Sequence, residues 1–108
     1  MKKEITINSE LKKLLESSKG FKRDLVSDDR VICSIRASKK QLWFFAYKSK
    51  EITGENFTNE SATGGKDYPT AFFIGSWDDG SKHFARCNEN KINGYFWIEY
   101  TESFSVSE

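Results

Sequence analysis

The chain has a single histidine, His83, so any general acid or base chemistry by imidazole rests on that one residue. It lies in the alternating run Lys82 to Cys87, close to Lys82 and Arg86. Proton transfer at a reacting atom needs a partner within hydrogen-bond reach. If the last two strands pair, Asp79, Glu99 or Tyr100 comes near His83, and a His, Arg and Glu set of this kind would suit a small nuclease. An ordinary surface or half-buried histidine accounts for the same residues with less machinery, and no catalytic residue is assigned. Cys33 and Cys87 stand far apart in the sequence, and one His with two Cys shows no metal-ligand spacing. Both cysteines fall in apolar alternations and read as buried free thiols, as expected in a reducing compartment. Gly64-Gly65-Lys66 is followed by Asp67 rather than Ser or Thr. It also lacks the preceding strand and following helix of a phosphate loop. No cofactor or metal is expected.

Surface chemistry offers more than catalysis does. Aromatic residues make up 15% of the chain, with three Trp and four Tyr, and Trp, Tyr and Arg dominate the hot spots of protein interfaces. Trp43, Tyr47, Trp77, Tyr95 and Trp97 are therefore the candidate binding residues. Asp78 and Asp79 join them as acidic groups able to meet a basic partner site. Asp28, Asp29, Glu55 and Glu60 add further negative charge, although carboxylates in turns often do no more than cap backbone groups. Arg36, Lys39, Lys40 and Lys48 flank the aromatic segment around Trp43, and bases stack on exposed rings, so single-stranded nucleic acid is an alternative partner. With 17 basic against 16 acidic residues the net charge is only +1, which weakens that alternative.

These residues must be positioned by a short chain. Its 108 residues are expected to form one domain, residues 1–108. No apolar run suits a signal peptide or a membrane span, so a cytoplasmic protein is expected. The sequons at Asn56 and Asn59 then carry no meaning. Ile5 and Ile7 predict a short strand. Asn8 or Ser9 can cap a helix running to about Lys19, with Leu11, Leu14 and Leu15 on one face and Gly20 as its terminator. After a polar connection through Lys22, Arg23 and Asp24, Val31 to Ala37 alternates as a strand. Gln41 to Tyr47, apolar on both faces, predicts a central strand completing a hairpin. Lys48 to Pro69 reads as a long polar loop, and loops of that length are often functional. Thr70 to Trp77, Lys82 to Cys87 and Tyr95 to Tyr100 complete a meander, with turns at Asp78-Asp79-Gly80-Ser81 and Asn88 to Gly94 and a polar tail anchored at Phe104.

The fold class expected is α+β: an N-terminal helix packed on an antiparallel, meander-like sheet of about five strands, with a small curled β-barrel as the alternative. One helix covers one face, which leaves aromatic surface on the other. The function expected is that of a small non-enzymatic protein-binding module. It would act as an inhibitor or immunity-type protein, bacterial or phage in kind, that occludes a toxin or enzyme through its aromatic sheet face and long loop.

Overall fold

The computed structural model describes residues 5–7, 9–54, 63 and 65–103. Along these the chain forms β1 (Ile5–Ile7), α1 (Ser9–Glu16), β2 (Phe21–Ser27), β3 (Arg30–Ala37), α2 (Lys39–Thr53), β4 (Ala71–Trp77), β5 (Lys82–Asn90) and β6 (Tyr95–Ser103). The six strands make one sheet in the order β1-β4-β5-β6-β3-β2, antiparallel throughout. Its end strands, β1 and β2, do not pair, so the sheet is open and the fold is α+β, with helices on one face. The expected meander is β4-β5-β6, and β3 docks on its far side with Cys33 opposite Tyr100 and Ile35 opposite Ile98.

Two segments differ in kind from the sequence expectation, and β5 also runs on through Asn88–Asn90, where a turn was expected. Gln41 to Tyr47 is the first half of helix α2 rather than a central strand. Its buried residues Leu42, Phe45, Ala46 and Ser49 fall at i, i+3, i+4 and i+7, the stripe of a half-buried helix. Both ends are locally specified. The Ser38 hydroxyl accepts from the Gln41 N–H while the Gln41 side chain accepts from the Ser38 N–H, a complete capping box. Gly54 ends the helix at φ 81°, a left-handed turn that disfavours any residue with a Cβ. The second difference is Phe21 to Ser27, expected as a connection and found as strand β2. An edge strand is mostly exposed, so polar residues are compatible with it. Gly20, the terminator expected for α1, does take a left-handed φ of 89°.

The covered face carries the core. Cys33 and Ile35 of β3, Phe72 and Ile74 of β4, Ala85 of β5, and Phe96, Ile98 and Tyr100 of β6 meet Leu11 and Leu15 of α1 and Leu42 and Phe45 of α2. Phe45 and Phe72 stack with centroids 6.4 Å apart, and each such buried side chain contributes about 1.5–3 kcal/mol. The Ser49 hydroxyl, fully buried in α2, donates to the Phe73 carbonyl and so ties the helix to β4. Of the expected loop, residues 48–53 are the last turns of α2, and Tyr68 and Pro69 are buried, with Tyr68 edge-on to Phe96 at 4.9 Å. Asn8, Glu55, Asn56, Phe57, Asn59, Glu60 and Phe104 lie outside the described residues. No helix among the described residues is long and apolar enough to cross a membrane.

Candidate functional site

Alternation along the strands sorts side chains to the two faces. In β5, His83, Ala85 and Cys87 are buried while Lys82, Phe84, Arg86 and Asn88 are exposed. Registers carry the second set across the sheet: Arg86 lies opposite Glu99 and Ala71, Phe84 opposite Phe73, Trp97 opposite Asn88 and Arg36, and Ile32 opposite Thr101. Neither helix packs on this face. It presents Phe73, Phe84, Tyr95 and Trp97 with Lys22, Arg30, Arg36, Lys82 and Arg86, against the acids Glu99 and Asp24.

The rings form two stations. Phe73 and Phe84 meet edge-on at 6.0 Å, with Phe84 39% exposed, and the Lys82 ammonium lies 5.9 Å from the Phe73 centroid. At the other end of β6, Tyr95 and Trp97 meet edge-on at 5.6 Å, and the Arg36 guanidinium covers the Tyr95 ring at 3.8 Å. Such a contact fixes a guanidinium plane and leaves its N–H groups available. Between the stations lies an open depression of about 710 Å³ whose lining includes Ile32, Phe84, Arg86, Glu99 and Thr101. A second depression of about 760 Å³ opens beside Tyr95, bounded by Lys19, Arg36 and Lys39.

Of the residues expected to bind, Tyr95 and Trp97 stand on this face. Trp43 and Tyr47 stand on α2, across the sheet from it, with rings 6.0 Å apart and Tyr47 56% exposed. The Trp43 indole N–H donates to the Asp67 carbonyl at 3.2 Å, and the Asp67 carboxylate accepts from Lys39. Trp77 lies on the covered side. A bulge between Phe73 and Gly75 shifts the register, so that Gly75 pairs with His83 and Trp77 turns inward to sit 4.7 Å from the His83 ring. Asp78 and Asp79 form the β4–β5 turn, where the Asp79 carboxylate accepts from the Ser81 N–H and hydroxyl. This turn and the β2–β3 turn, with Asp28 and Asp29, share one end of the sheet, while Lys19, Lys39 and Lys91 mark the other.

His83 is 4% exposed, and among the described residues neither its ring nitrogens nor the Tyr100 hydroxyl beside it make a hydrogen bond of normal geometry. Burial lowers the His83 pKa to about 4 and raises that of Tyr100. Cys33 lies opposite Tyr100 with its sulfur 4.0 Å from Glu102 Oε2. Burial raises its pKa and pushes Cys87 up to about 12. At the rim, Arg23 bonds Glu16 and Glu102, and Lys12 sits 3.2 Å from Glu102. The chemistry available here is narrow. A buried neutral imidazole and protonated thiols supply no ready nucleophile. His83 is among the residues lining the depression of about 710 Å³, with Trp77 and Tyr100, although only 4% of it is exposed. Among the described residues no three His, Cys, Asp or Glu side chains gather as a metal site.

Phe73 and Phe84, outside the expected binding set, also stand on the face of Tyr95 and Trp97, and so does Arg86, which was expected only beside His83. The period-two pattern of β5 held the signal, because the face opposite His83 and Cys87 had to carry Phe84 and Arg86. Comparison with protein-family models, curated proteins and solved structures gives no match.

Proposed function

We propose that this protein is a non-enzymatic binding module that docks onto another protein through the helix-free face of its sheet. The observation that carries this reading is the gathering of Trp97, Tyr95, Phe84 and Phe73 with three arginines on a face that neither helix covers. Aromatic and Arg anchors are the residues enriched at an interface centre. The positive excess on this face selects an acidic partner surface, and the four turn aspartates at one end give an approaching partner an orientation. A rigid face of this kind can occlude an enzyme or toxin in the manner of an immunity-type inhibitor. It needs about 800 Å² on its own side to do so. No cofactor enters this function.

The joint presence of rings and cations on one sheet face also favours a second reading, single-stranded nucleic acid stacked on Trp97 and Phe84. Capture from a lysate of the source cells separates the two. A protein partner is expected to be retained after nuclease treatment and at 500 mM salt, to be lost on Trp97→Ala or Phe84→Ala, and to survive Trp43→Ala. Loss of a hot-spot ring costs about 2 kcal/mol or more, roughly thirtyfold in Kd. Binding that falls by about three orders of magnitude from 50 to 200 mM salt favours nucleic acid instead. A partner indifferent to both ring deletions in folded variants contradicts either use of this face.

A further inference from the structure

Strand β2 ends the sheet, and among the described residues its outer edge pairs with nothing. Leu25 is 67% exposed and Val26 is 48% exposed on it. Unpaired N–H and C=O groups along a strand edge template the addition of another strand. The opposite edge, β1, has three residues and offers far less. Pairing of β2 with β3 is unbroken from Phe21 to Leu25, after which a register shift interrupts it before Ser27. The regular edge is therefore the five-residue segment Phe21-Lys22-Arg23-Asp24-Leu25, and its centre is Arg23.

We infer that this edge pairs with the same edge of a second copy, antiparallel about a twofold axis through Arg23, joining two six-stranded sheets into one. Such an axis stands perpendicular to the sheet, keeps both covered faces on one side and makes every contact reciprocal. Centred on Arg23, it sets Lys22 opposite the copy's Asp24, Asp24 opposite the copy's Lys22, and Phe21 opposite the copy's Leu25 in both directions. Lys22 and Asp24 are exposed and have no ion-pair partner among the described residues, so both are available for these contacts. Arg23 meets its own copy, but each guanidinium is already matched by Glu16 and Glu102. Centring the axis on Asp24 instead opposes two uncompensated carboxylates and leaves Lys22 facing Val26, so charge selects the Arg23 register.

A contact of five residues a side falls below the roughly 1,200 Å² of a standard interface, so the dimer is weak and its measurement must extend to millimolar protein. The test is sedimentation equilibrium on the wild type, Lys22→Asp, Asp24→Lys, their equimolar mixture and the double variant, each checked for native circular dichroism. The wild type is expected to dimerise with rising concentration. Each single reversal sets like charges opposite each other twice and should weaken dimerisation by about tenfold or more. The mixture and the double variant restore unlike pairs and should dimerise as the wild type does. A wild type that stays monomeric at about 1 mM, single reversals that dimerise normally, or a mixture and double variant that fail to recover each overturn the inference. The first of those results would leave the edge to a strand of some other chain.

Discussion

Among single residues, His83 is one whose protonation the fold controls strongly. Its type made it the obvious candidate for chemistry, yet its position in the β5 alternation places it under Trp77 and beside Tyr100, on the face that the helices cover. Burial favours the neutral ring and brings its pKa from 6.5 to about 4. The folded state therefore binds fewer protons than the unfolded state between those values. The stability this residue permits is fully present above pH 6.5 and is lost as pH falls toward 4. The loss is on the order of 3 kcal/mol. Urea unfolding at pH 7.5 and pH 4.5 should show the decline in the wild type and a much flatter profile in His83→Phe, which keeps a ring against Trp77. An equal decline in both proteins would assign the acid sensitivity to other groups, with Glu102 and Glu16 the first to examine.

At the scale of elements, most of the sheet was legible from residues alone, because β3, β5 and β6 alternate apolar and polar residues and hydrophobic burial enforces that period. The segment around Trp43 misled for a physical reason: a run rich in rings satisfies a strand and a buried helix equally well. The deciding signals were short and lay at its ends, in Ser38 with Gln41 and in Gly54. Ser38→Ala should cost about 1 kcal/mol by removing the acceptor for the Gln41 N–H, read as a lower midpoint in chemical unfolding. An unchanged midpoint would mean that packing of Leu42, Phe45 and Ala46 alone sets the start of α2. Two of the seven expected binding residues, Tyr95 and Trp97, were placed on the open face by the simple period of β6. The inward turn of Trp77 was not legible, since it depends on a bulge whose only trace in the sequence is Gly75.

In the whole molecule, the proposed function rests on an asymmetry: α1 and α2 pack on one side of a six-stranded sheet, and neither covers the other side. Its rings are held by strands rather than loops, so little conformational freedom is lost when a partner covers them. The most direct test is site-specific photo-crosslinking in the source cells, with a benzophenone side chain in place of Phe84 on the face opposite α1 and α2 or in place of Tyr47 on α2. A discrete protein adduct is expected from position 84, disappearing when Trp97→Ala is added, and none from position 47. An adduct from position 47 alone, or nucleic acid as the crosslinked species at position 84, would contradict the proposed function.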